Sequence, residues 1–152
     1  MSYTDVKSAL KISPSSLALH SVLDALMVAD PRYHWQLSNE VVYIAPVNDF
    51  PKVLDTVVAR FDQENATAFE MLTALEEIPE LRERASKLGY SDIRLNKFEG
   101  LVSPDKFSVH CTNCSLRNIL NEIVRKHGRA VWCYSESVAS GEKAFRFWIL
   151  FS

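Results

Sequence analysis

The chain reads NCSLRNILNEIVRKHG from Asn113 to Gly128, and two earlier parts of the sequence repeat the pattern of this segment. Its apolar residues recur after the polar cap at the spacing of one buried helix face. The same register begins 48 positions earlier at Ala68 and 97 positions earlier at Leu19. The three sets are Leu19, Val22, Leu23 and Leu26; Ala68, Met71, Leu72 and Leu75; and Leu116, Ile119, Leu120 and Ile123. This repetition predicts three related units.

A tryptophan follows the first and third copies at the same offset, as Trp35 and Trp132. Each tryptophan belongs to a strand-like run of β-branched and aromatic residues. Turn residues at 38–40 and a loop containing Gly141 predict that a hairpin follows each of these two helices. The repeated unit is therefore a strand, a helix and a hairpin.

The predicted fold class is α+β, with repeated strand–helix–hairpin units whose helices pack on small antiparallel or mixed sheets. Residues 1–50 form a first helix–hairpin unit, whose helix is capped by Ser15 or Ser16 and runs to about Ala29. Residues 51–104 form a diverged middle strand–helix unit with a short strand at 57–61 and a helix broken at Pro79. Residues 105–152 form a strand–helix–hairpin unit. We expect one compact domain or two intimately packed halves.

The composition narrows the classes of partner. Seventeen basic and nineteen acidic residues give a net charge of −2 without a basic run, so nucleic acid is not an expected partner. The longest apolar stretch, near Phe145–Phe151, is far shorter than the ~20 residues of a membrane-spanning helix. Four scattered glycines form no phosphate-binding loop, and no cofactor is predicted. The N-terminus does not resemble a signal peptide, so we expect a cytoplasmic protein, or a periplasmic or secreted one if a signal peptide was removed.

The motif Cys111-Thr-Asn-Cys114 is the clearest candidate for chemistry. Two thiols at this spacing beside a helix N-terminus can form a redox pair or a bridge. The repeat offers another interpretation, since Cys114 aligns with Ala66 and Leu17, directly before the helix cap. An apolar side chain there packs on the fourth helical residue, here Ile119. The sequence favours packing, with the redox pair as the alternative.

Zinc binding by Cys111 and Cys114 would need a third ligand such as His110, His127 or Cys133. A second CxxC or an HxxxH motif is missing, and strand alternation places His110 on the face opposite Cys111. No metal site is therefore predicted.

The final strand is apolar on both faces. Phe145, Phe147, Ile149 and Phe151 share one face, while Trp148 and Leu150 share the other with Arg146. One interpretation is a central strand buried on two sides. The other is an edge strand that pairs with a protein partner or with a second copy. In that second interpretation the partner-binding residues are Phe145, Phe147, Trp148 and Leu150.

The segment Phe107–Gly128, FSVHCTNCSLRNILNEIVRKHG, and the following Ala130–Tyr134, AVWCY, resemble the short N-terminal domains of secretins and TonB-dependent receptors. Residues Leu19–Pro46 resemble the closing half of the same domain. The resemblance implies a bacterial extracytoplasmic module that binds partner proteins and carries no catalytic residues. We therefore expect a non-enzymatic protein-binding or assembly module. The alternative is a thiol redox protein that uses Cys111 and Cys114.

Overall fold

The computed structural model describes residues 18–38, 40–48, 51–95, 104–139 and 141–151. A few residues inside these ranges are described by their backbone alone, namely Ser38, Asp92, Arg94, Leu95, Ala139, Trp148, Leu150 and Phe151. The chain divides into a first unit, residues 1–50, and a second unit, residues 51–152. The described ranges contain four α-helices and seven strands in small sheets, so the predicted α+β class is confirmed.

The first unit consists of helix α1, Leu19–Ala29, and an antiparallel hairpin of β1, Tyr33–Ser38, and β2, Val41–Pro46. The helix stops where Asp30 caps it, directly before Pro31. Its N-cap is Ala18, which has no side chain able to cap, while Ser15 and Ser16 lie outside the described residues. The hairpin is the one that the alternating sequence predicts.

The second unit contains two sheets and three α-helices within its described ranges. In chain order its elements are a short 3-10 helix Lys52–Asp55, β3 Val57–Thr67, α2 Ala68–Glu76, α3 Pro79–Lys87, β4 Tyr90–Leu95, β5 Lys106–Ser115, α4 Leu116–His127, β6 Ala130–Ala139 and β7 Glu142–Phe151. Strand β3 pairs with β5, and β7 lies between β4 and β6. Helix α2 contacts β3 and β4, helix α4 contacts β5 and β6, and the two helices contact each other. Each helix therefore contacts both sheets.

One detail differs from the sequence-based expectations. Strand β3 extends to Thr67 instead of ending near Phe61, because it pairs with β5 along its whole length, with one irregularity between Gln63 and Ala66. The three-stranded sheet is of the mixed kind, one of the two that the sequence predicts, because β4 runs parallel to β7 while β6 runs antiparallel to it. The break at Pro79 is confirmed, since this proline occupies the first turn of α3.

The second and third copies of the repeat share their geometry. Thr67 and Ser115 are the N-caps of α2 and α4, and each accepts a hydrogen bond of 3.2 Å from the backbone N–H three residues later. Two residues before each cap, Asn65 and Asn113 have positive φ angles of 48° and 52°. All eight repeated apolar residues of these copies are buried. The repeat in sequence is thus also a repeat in structure.

The first copy shares one further contact with the third. The indole Nε1 of Trp35 donates to Asp24 at 2.9 Å, and that of Trp132 donates to Asn121 at 2.9 Å, in both cases eleven residues back along the chain. The tryptophans therefore tie each strand to its preceding helix in the same way. The burial of the helix differs, however, because Leu23 is the one buried residue that α1 contributes.

Candidate functional site

The final strand β7 is the central strand of its sheet, and Phe145 and Phe147 are fully buried in the core. The ring of Phe145 stacks on Tyr134 and meets the edge of Tyr90. Both features are those of a strand buried in the middle of a sheet, so these two phenylalanines offer no surface to a partner. The side chains of Trp148 and Leu150 lie outside the described residues, and partner binding through them stays a prediction.

Cys111 and Cys114 form a disulfide in the structure, with their Cα atoms 5.9 Å apart. The sequence favours packing of Cys114 against α4, but the structure commits its sulfur to the bridge. Both interpretations place the sulfur beside the start of the helix, which is why spacing alone did not separate them. Each half-buried cysteine stands opposite a buried residue of β3, Cys111 opposite Phe61 and Cys114 opposite Val58.

The other members of the suggested zinc set do not join the two cysteines. Cys133 is a free, half-buried cysteine, and burial raises the pKa of its thiol. The ring of His127 meets the edge of Phe107. Within the described ranges no three His, Cys, Asp or Glu side chains are grouped to hold a metal ion.

His110 belongs to an exposed charged cluster that the sequence did not indicate. Its Nδ1 lies 2.6 Å from Asp62 Oδ1, and its Nε2 lies 3.2 Å from Glu64 Oε1. Arg60 forms an ion pair with Asp62. The hydrogen bond with His110, followed by that with Arg60, holds the pKa of the Asp62 carboxyl below its usual value. The repeat was the one signal in the sequence that could have indicated this cluster. Asp62 and His110 are 48 positions apart, which makes them equivalent in the second and third copies, and they pair across β3 and β5.

The first unit exposes apolar residues that its counterpart buries. We define the α1 face as Leu19, Val22 and Leu26, which correspond to Leu116, Ile119 and Ile123 of α4. Leu19 is 62% exposed and the other two are half-buried, whereas all three residues of α4 are fully buried. Among the side chains that the structure describes, the first unit exposes six large apolar residues and the second unit three. Sequence periodicity could not predict this difference in burial, because the spacing of the apolar residues is the same in α1 and α4.

Comparison with protein-family models, with curated proteins and with solved structures gives no match. None of the helices in the described part of the chain is both long and apolar enough to cross a membrane.

Proposed function

We propose that the protein is a non-enzymatic protein-binding module and that it binds through the α1 face. One observation carries the proposal: Leu19 is 62% exposed, although its equivalent in the third copy, Leu116, is fully buried. Beside Leu19, the half-buried Val22 and Leu26 also stand at positions that the same repeat buries fully in α4, and neighbouring apolar side chains left in contact with water are typical of an interaction surface. The resemblance to the short N-terminal domains of secretins and TonB-dependent receptors implies the same class of function.

The occupant that we propose for the α1 face is the α1 helix of a second copy of the chain. In the second unit, helices α2 and α4 carry the same apolar register and pack on each other. Helix α1 carries that register too, but it is the only helix in the described part of the first unit. Two α1 helices related by a two-fold axis would reproduce the pairing of like helices, and two-fold dimers are the commonest homo-oligomers.

Sedimentation equilibrium of the whole chain over a range of concentrations tests this proposal. We expect a dimer that dissociates at least tenfold more readily in Leu19→Glu, because the new carboxylate would have to be buried in the interface. The matched control is Val28→Glu. Val28 is 84% exposed, and its equivalent in α4 is the exposed Arg125, so this charge should leave dimerisation unchanged. A parent protein that remains monomeric, or equal weakening by both variants, would overturn the proposal.

An extracytoplasmic location is the second part of the proposal. The Cys111–Cys114 bridge supports it, because disulfides form and persist in oxidising compartments. The resemblance, which implies a bacterial periplasmic module, supports it too. Fractionation of source cells, with thiols blocked at lysis, provides the test. Recovery of the bridged protein outside the cytoplasm is expected, and recovery of a reduced cytoplasmic protein would contradict this part alone.

A further inference from the structure

We propose that Cys111 and Cys114 are a redox-active pair that exchanges its disulfide with external thiols, independently of the α1 face. If the bridge served only to hold the fold together, the local conformation would depend on it. A redox-active pair requires instead that the reduced chain keep the same conformation. The internal repeat supplies a comparison that separates these two cases.

The turn around Asn113 has an unbridged counterpart around Asn65. Gln63 and Ala66 occupy the positions equivalent to Cys111 and Cys114, yet Asn65 has a φ angle of 48° where Asn113 has 52°. The caps that follow, Thr67 and Ser115, make equivalent hydrogen bonds of 3.2 Å. The second copy thus forms this turn and caps its helix without any disulfide. We therefore expect the third copy to keep its local structure without the bridge, with the dithiol on the same backbone.

The position of the pair also allows exchange. Both cysteines are half-buried, and the two residues between them, Thr112 and Asn113, are exposed, so we expect an external thiolate to reach a sulfur. Cys114 directly precedes Ser115, the N-cap of α4. The positive end of a helix dipole favours a thiolate near the first turn, which makes such a cysteine a better leaving group.

The chemistry is thiol–disulfide exchange with a dithiol as reductant. One thiolate of the external dithiol attacks Sγ of Cys111 or Cys114, the internal S–S bond breaks, and the other cysteine leaves as a thiolate. The second external thiol, as thiolate, then attacks the mixed disulfide and releases the first cysteine. The pair gains two electrons and takes up two protons, while the external dithiol is oxidised to its disulfide. The reverse reaction reduces an external disulfide.

The test uses the whole chain with Cys133→Ser, so that the pair alone carries thiols. The folded protein is equilibrated with mixtures of reduced and oxidised dithiothreitol, quenched with acid, alkylated with a mass tag and weighed. We expect the population to shift between zero and two tags in one reversible transition, with the same circular dichroism spectrum at both ends. A bridge that opens only in denaturant, or a reduced form that loses helix, would overturn the proposal.

Single variants identify the exchange step. In the Cys133→Ser background and with oxidised glutathione, the Cys111→Ser and Cys114→Ser proteins should each accumulate one glutathione adduct, because no second thiol resolves it. The reduced pair should instead form its internal bridge and release two glutathione molecules. A stable adduct on the intact pair would contradict the proposed resolution.

A cysteine pair transplanted to the second copy tests whether the two turns are equivalent. Gln63→Cys and Ala66→Cys are introduced together in a chain whose three native cysteines are serine. We expect the transplanted pair to form a bridge and to be reduced reversibly without loss of helix. Failure to form a bridge, in a chain that is still folded, would show that the two turns are not equivalent. Neither outcome depends on the oligomeric state, so the result is separate from that of the α1 face.

Discussion

Helices α1 and α4 begin with the same apolar register but differ in how much of it they bury. In α4, the four repeated residues are all fully buried between the strands and α2. In α1, the equivalent residues include Leu19, which is 62% exposed. Both helices receive the same hydrogen bond from a tryptophan of the following strand. The register therefore determines the helix and its attachment to the hairpin, while burial depends on what lies opposite.

The difference has a direct energetic meaning. Apolar surface contributes roughly 25 cal/mol per Å² when it is removed from water, and an exposed leucine has little of this to contribute. The α4 face is thus a source of stability for the second unit. On the α1 face, Leu19 keeps most of its apolar surface in water, and burial of that surface would favour the association that we propose.

The largest effect is expected from two matched variants, Leu116→Ala and Leu19→Ala, which test whether α4 and α1 differ in burial. Leu116 is fully buried, so its truncation should lower the free energy of unfolding of the second unit by about 2–5 kcal/mol. The same change at the exposed Leu19 should cost no more than about 0.5 kcal/mol in dilute, monomeric protein. Urea unfolding followed by tryptophan fluorescence measures both. Equal losses would show that α1 is buried as α4 is, and the comparison would fail.

The caps are expected to have a smaller effect. Ser115→Ala removes the hydroxyl oxygen that accepts a hydrogen bond from the Asn118 N–H, and this should cost about 1 kcal/mol. Thr67→Ala should cost at least as much, because Thr67 also forms a capping box with Glu70. Thermal unfolding monitored by circular dichroism provides the measurement. Thr112→Ala, which removes an exposed hydroxyl nearby, is the control and should stay within about 0.5 kcal/mol. If both variants lost no more stability than the control, the cap hydrogen bonds would not be a stabilising feature that the two copies share.

Local patterns in the sequence predicted most elements but not their pairing. The periods of the helices, the stop at Pro79 and the hairpin around Trp35 all depend on neighbouring residues, and each is present in the structure. The parallel pairing of β4 with β7 joins segments some fifty residues apart, and no local period records it. The length of β3 has the same origin, because its last residues are strand only through their pairing with β5.

The candidate sites show the same limit. Phenylalanines such as Phe145 and Phe147 are typical both of a core strand and of a strand that binds a partner. Only the position of β7 between two neighbouring strands separates these alternatives. The sequence could not predict the exposure of Leu19, because its helix has the apolar pattern of a buried helix. The cysteine pair was recognised from its spacing, but the choice between packing and a bridge required three-dimensional geometry.

The smallest predicted effect concerns Asp62 and His110, which relate the second copy to the third. These residues are equivalent in the two copies and face each other across β3 and β5, so their hydrogen bond lies where the copies meet. Because the pKa of Asp62 is lower in the folded than in the unfolded chain, its stabilising contribution is fully present above about pH 4. It is lost as the pH falls through the folded-state value.

Asp62→Asn should therefore lower the urea midpoint slightly at pH 5, and the difference from the parent should vanish as the pH falls toward 2. The effect is small because the pair is exposed and screened by solvent. A difference that stays constant across this range would mean that Asp62 acts through packing or strand pairing instead of through its charge. The charged cluster would then be an addition to the repeat, which the caps and the buried apolar residues of α2 and α4 would still define.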